Sequence, residues 1–242
     1  PTLTRTSTGS LTGTSRRKTT TLTGLRHKLQ LDGPAMSNSS HFTESRLPVP
    51  KTAGNPEGKG AHGFLDDWVA TEPRGVVAKP QRQVLAELFT SLLVLSASFK
   101  YRPVPGRPNY LYWIDGEWSL SLIAPYEWSE KRRAGFAGTC VLQPDMTWTI
   151  SPSERLSEEG PASAAVRRFF DGFAGMLDTD LTLEDILPYY AGRLPYYQRL
   201  LASAMSRSMR AAVTSDDRTA ISCREWQARL PRYEHELLAY SG

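Results

Sequence analysis

A chain of 242 residues, 40% hydrophobic and 22% charged, has the composition of a globular protein with one sizeable core and room for a second small lobe. No apolar run reaches the roughly eighteen residues of a membrane-crossing helix. Two cysteines far apart, Cys140 and Cys223, exclude a disulfide framework and a zinc ligand pair, so a reducing cytoplasm is the expected setting.

The net charge of +4 is unevenly placed. Residues 1–35 hold six basic residues and one acid, which makes that arm +5 and the remaining chain −1. A nucleic-acid reading built on overall basicity therefore rests on the arm. The arm begins at Pro1, is rich in Thr, Ser, Gly and Arg, and contains no aromatic residue. Such a segment buries too little surface to offset its ordering entropy and is expected to be disordered. Three origins fit it: an upstream translation artefact or expression remnant with Met36 as the natural start, a genuine basic arm, or a transit-type peptide.

Residues 36–80 are punctuated by Pro and Gly and read as a linker. Within it, the island Phe64-Leu65-Asp66-Asp67-Trp68-Val69 is expected to form one helical turn, with Trp68 as an anchor on the core. An α+β core is expected over residues 81–152. It opens with a helix after Lys79-Pro80, in which Val84, Leu85, Leu88, Phe89, Leu92, Leu93 and Leu95 recur at helical spacing. The prolines at 103, 105 and 108 forbid a helix or an inner strand. Residues 110–114 are rich in strand formers, and Asp115-Gly116 signals a tight hairpin turn. The return strand, residues 117–123, places Trp118, Leu120 and Leu122 on one face and Ser119, Ser121 and Ile123 on the other. A longer connection over 126–135 leads to strands at 139–143 and 146–150, with a turn at Pro144-Asp145-Met146. The fold class is thus α+β: a small antiparallel sheet of three or four strands covered by an amphipathic helix, followed by a helical C-terminal region.

That region divides into a helical extension, 153–214, and a helical tail, 215–242. Gly160-Pro161 opens a helix with Ala165, Val166, Phe169, Phe170 and Phe173 on its apolar face. Thr182 with Glu184 and Asp185 starts a short one, and a third begins near Pro195.

Residues 101–152 carry four of the six tryptophans and a further pattern. Pro105-Gly106, Tyr110-Leu111-Tyr112, Ser121, Pro125, Glu127-Trp128, Phe136, Gly138, Leu142, Asp145 and Trp148-Thr149 stand in an order and spacing that resemble an uncharacterised domain family shared by bacteria and eukaryotes. Its eukaryotic member is the chromosome-one open-reading-frame-fifty product. The resemblance covers about residues 99–152. Ser129 stands where the family has glycine, and Cys140 where it has an aromatic residue. The resemblance implies no activity, cofactor or catalytic residue.

The residues themselves supply no catalytic set. Asp115 and Glu117 have sufficient turn and strand roles. Cys140 has no histidine near it in sequence to serve as a base and reads as a small buried apolar residue. The four histidines are scattered, so neither a metal site nor a cofactor is expected, and no phosphate-binding glycine loop occurs. What remains is a candidate binding surface on the open side of the sheet and the 126–136 loop, formed by Tyr110, Tyr112, Glu127, Trp128, Arg132, Arg133 and Phe136. It reads first as the contact surface of a non-enzymatic interaction module with a protein partner. Two alternatives use the same residues. One is a hydrolase-like pocket around Glu127 and Trp128. The other is single-stranded nucleic-acid binding, with bases stacked on the aromatics.

Overall fold

The computed structural model describes residues 59–189, 191–215, 218–238 and Tyr240. The basic arm, Met36 and the linker up to residue 58 lie outside the described residues. The elements in order are α1 (Lys59–Ala70), α2 (Gln81–Ser96), β1 (Pro108–Ile114), β2 (Glu117–Ser121), α3 (Glu130–Arg133), β3 (Phe136–Leu142), β4 (Trp148–Pro152), α4 (Pro161–Leu177), α5 (Leu183–Ile186), α6 (Tyr196–Thr214), α7 (Cys223–Gln227) and α8 (His235–Leu238). The chain is α+β, with a four-stranded antiparallel sheet in the order β2-β1-β3-β4. Among the described residues no helix is long and apolar enough to cross a membrane.

The helix α2 covers the sheet as its periodicity predicts, but its burial goes beyond one stripe. Every residue from Val84 to Ser96 is buried. A helix with apolar groups all round its axis belongs inside a core. One side of α2 meets β4 and β2, and α4, α6 and α8 pack against the rest. Phe89 sits among three rings of α4, with centroids 5.5 Å from Phe169, 6.0 Å from Phe170 and 5.3 Å from Phe173, all tilted edge-on. One continuous apolar cluster therefore runs from Val84 through the sheet to Leu238.

Two of the polar groups that α2 carries inward, Ser91 and Glu87, find partners outside the helix. Ser91 Oγ accepts the Trp148 N–H at 2.9 Å, which occupies the outer edge of β4. The Lys79 ammonium donates to Glu87 Oε2 at 2.6 Å and to Asp145 Oδ2 at 2.5 Å, and all three side chains are about nine-tenths buried. Asp145 Oδ1 accepts from the Thr147 backbone and hydroxyl, and Glu87 Oε1 accepts from Gln83 Nε2. This cluster ties the segment before α2 to the β3–β4 turn. Burial alone would favour neutral groups here. The Lys79 bonds, with those from Thr147, nevertheless hold the Asp145 carboxyl below its ordinary value, and the two carboxylates raise Lys79.

Turn chemistry shapes the sheet. Asp115 and Gly116 have φ of 51° and 87°, the two positive values that a type I′ hairpin demands. Ser98 closes the other edge of the sheet: it donates to Trp118 O at 2.8 Å and accepts from Leu120 N at 3.1 Å. The island around Trp68 is a twelve-residue helix, longer than the single expected turn. Trp68 lies under the Arg207 guanidinium at 4.5 Å but stays 37% exposed, so it rests against α6 in place of the expected anchoring in the core.

Three outcomes are expected in chemical denaturation. Lys79→Met leaves two buried carboxylates without their cation and should cost about 3–5 kcal/mol. Because the folded Asp145 value is depressed, its contribution is present above the unfolded-state value and lost as pH falls through the folded one. Asp145→Asn should therefore flatten the acid limb of the stability profile. Gly138→Ala places a Cβ 2.7 Å from Ser151 O and 2.9 Å from Ile150 Cγ1, and the crowding should cost about 1–3 kcal/mol.

Candidate functional site

Strand pairing decides which side chains share the outer face. Tyr110 lies opposite Ser121 and Thr139, while Leu111 lies opposite Leu120 and Gly138. The next pair across β1 and β3 is Tyr112 with Phe136, so Ala137 is the extra residue of a β-bulge. A bulge changes the parity of the strand beyond it. Simple alternation from Gly138 would turn Phe136 inward; the bulge turns it outward and buries Ala137 instead. Phe136 thereby joins Tyr112 at 5.5 Å and Tyr110 at 6.4 Å between ring centroids. The inner face of the same strands carries Leu111, Cys140 and Leu142 toward the helices.

The connection from β2 to β3 folds over one end of this face. Pro125–Glu127 is a short 3-10 turn with Pro125 at its first position. Glu127 Oε1 accepts the Ala124 N–H at 3.1 Å and closes that turn. Trp128 then meets the Tyr112 ring edge-on at 6.4 Å, and the Arg132 guanidinium stacks over Trp128 at 4.3 Å. Arg133 Nη2 donates to the Trp128 carbonyl at 3.3 Å. Beneath this lid the Tyr112 hydroxyl donates to Ile123 O at 2.9 Å, and burial pushes its pKa up to about 12.

All seven residues singled out from the sequence lie on this face or in the loop that borders it, but Tyr112 is 1% exposed beneath the loop and supports the surface without being part of it. Tyr110, Phe136, Tyr112, Trp128 and Arg132 form a continuous chain of ring and cation contacts. Glu127 stands apart: its side chain is exposed and engaged with a backbone amide, which is a loop-shaping role. Arg133 serves the same loop through its bond to Trp128. Three further residues join the seven: Leu122 and Ile123, expected on strand faces but lying past the strand end at Ser121, and Tyr126 of the loop. Tyr126 is 81% exposed, Leu122 60% and Ile123 40%, and they follow one another around the end of β2 beside Trp128. Their signal in the sequence is an apolar pair and a tyrosine flanking Ala124-Pro125, where the strand can no longer continue.

Chemistry elsewhere is muted by burial. Cys140 is fully buried and its thiol is pushed well above the ordinary range, while burial raises Cys223 to about 12. Among the described residues no three His, Cys, Asp or Glu gather as a metal-ligand set.

Removing the Trp128 indole should uncover the Tyr112 phenol. In Trp128→Ala, carbon-labelled tyrosine NMR is expected to show one phenol returning from about 12 toward the ordinary value, and an unmoved Tyr112 titration would mean that the loop does not shield it. Comparison with protein-family models, with curated proteins and with solved structures yields no match, so the reading of this surface rests on its geometry.

Proposed function

We propose that the chain is a non-enzymatic interaction module whose contact surface is the outer face of the sheet together with the loop from Leu122 to Phe136. The observation that carries this reading is the gathering of exposed Leu122, Ile123 and Tyr126 beside the Tyr110–Phe136–Tyr112–Trp128 ring chain. Exposed apolar side chains grouped around half-buried rings mark a contact site more often than an isolated exposed side chain does. Both sheet edges already hold hydrogen bonds, from Ser98 and Ser91, which favours the face over strand addition. The resemblance of residues 99–152 to the uncharacterised domain family belongs to the same reading, since its shared positions include Tyr110, Tyr112, Glu127-Trp128 and Phe136.

The partner that suits this surface is a protein segment with apolar side chains and an acidic residue. The four strands turn one charged residue, Glu117, to the outer face; the cations Lys131, Arg132 and Arg133 sit together at one end on α3. A single strand of nucleic acid needs cations along its path, and the four strands carry no Lys or Arg. A carboxylate at one end of a peptide needs only the α3 cluster. Glu127, exposed and engaged with Ala124, is not arranged as an acid–base group, which favours binding over hydrolysis.

The experiment compares the full chain with a Tyr126→Ser/Arg132→Glu variant in capture from native extract, with and without nuclease. Both substitutions lie on exposed side chains, so the chain should stay folded, losing at most the stacking of Arg132 on Trp128. The expected result is a protein retained by the wild type through nuclease treatment and lost by the variant. Equal retention by both chains contradicts the surface, and loss on nuclease treatment contradicts the partner class.

A further inference from the structure

We propose that the cleft between α1 and the start of α6 is a binding site for a small aromatic carboxylate. The cleft holds about 380 Å³, within the range of about 300–1,000 Å³ usual for small-molecule sites. Its walls carry Phe64 and Trp68 from α1, Tyr189 from the α5–α6 connection, and Tyr196, Arg199 and Ser203 from α6. Among the described residues the walls bring four rings, the Arg199 guanidinium and the Ser203 hydroxyl, which match a flat apolar body with a single anionic end.

The walls are held in place by contacts that leave the cleft itself open. Asp67 Oδ1 accepts from Arg102 at 2.6 Å, and Asp67 Oδ2 accepts from the Tyr196 hydroxyl at 3.0 Å. Trp68 rests under the Arg207 guanidinium at 4.5 Å, and Arg207 also donates to Thr71 O at 3.4 Å. These bonds fasten α1 to α6 and to the segment after α2. Trp68 nevertheless keeps 37% of its surface exposed and Phe64 46%, so the contact between the helices leaves ring area uncovered.

The charge balance selects the anion. Asp67, the acid that touches the wall, is already matched by Arg102. The Arg207 guanidinium is stacked on Trp68, and Arg199 is exposed with no ion-pair partner among the described residues. A neutral aromatic molecule would fill the rings and leave Arg199 unused. A carboxylate uses both, and the guanidinium fork suits its two oxygens. The site lies on α1 and α6, away from the outer face of the sheet, so it stands or falls separately from the contact surface proposed above.

The test is calorimetric titration of naphthylacetate into the full chain, beside the neutral naphthylacetamide. One saturable site is expected, with the amide at least about tenfold weaker. Arg199→Gln should weaken the acid by about the same factor and leave the amide unchanged, with an unaltered melting temperature because Arg199 is exposed. Ser203→Tyr should fill the cleft and abolish binding of both. Absence of a saturable heat, equal binding of acid and amide, or wild-type affinity in Arg199→Gln would each overturn the proposal. If Ser203→Tyr unfolds the chain, the Arg199→Gln comparison still decides.

Discussion

The structure depends on α2 being buried on every side. A helix that packed on the sheet alone would leave half of its Leu, Val and Phe side chains in water, at roughly 1.5–3 kcal/mol for each large one left exposed. The C-terminal helices remove that surface, and Phe89 shows how closely, enclosed by three phenylalanines of α4. A central helix can carry polar groups only if each is satisfied. Ser91 and Glu87 meet that condition through Trp148 and Lys79, and Lys79 in turn reaches Asp145. Hydrophobic burial gives the arrangement its strength, and these few bonds fix how the helix, the segment before it and the β3–β4 hairpin lie relative to one another.

This arrangement has a consequence for function. The inner face of the sheet is fully occupied by the helical layer, with Leu111, Cys140, Leu142 and Trp148 buried against it. What the sheet has left to offer is its outer face, and there one extra residue in β3 matters most. The bulge at Ala137 turns Phe136 toward Tyr110 and Tyr112, and the β2–β3 loop brings Trp128 and Arg132 to the same patch. Core and candidate surface are thus two sides of the same short strands.

Much of this was legible in local chemistry. Asp115-Gly116 specified the hairpin, and the alternation in β2 gave the faces of Trp118 and Leu120 correctly. Gly160-Pro161 and Pro195 marked the starts of α4 and α6. The features that were not legible are those set by distant pairing. The partners of Ser91 and Lys79 lie 57 and 66 residues further along the chain, so no local pattern shows that these polar groups are buried and paired. The bulge depends on the register between β1 and β3, which no local pattern encodes, yet it decides where Phe136 points. Glu127 was compatible with a pocket or a cap on sequence alone, and the Ala124 amide three residues earlier made it a cap. Alternation extends the strand through Ile123 and sets Leu122 on the face of Trp118 and Leu120, but pairing stops at Ser121, and Leu122 and Ile123 stand exposed beyond it.

The most direct test of α2 as the shared core is native-state amide hydrogen exchange on the full chain. The account predicts that amides between Val84 and Leu95 exchange only through global unfolding, at the free energy found by chemical denaturation, together with those of β1 and β3. Exchange of α2 with the C-terminal helices at a lower free energy, while the sheet stays protected, would show that the sheet does not depend on it and would contradict the account.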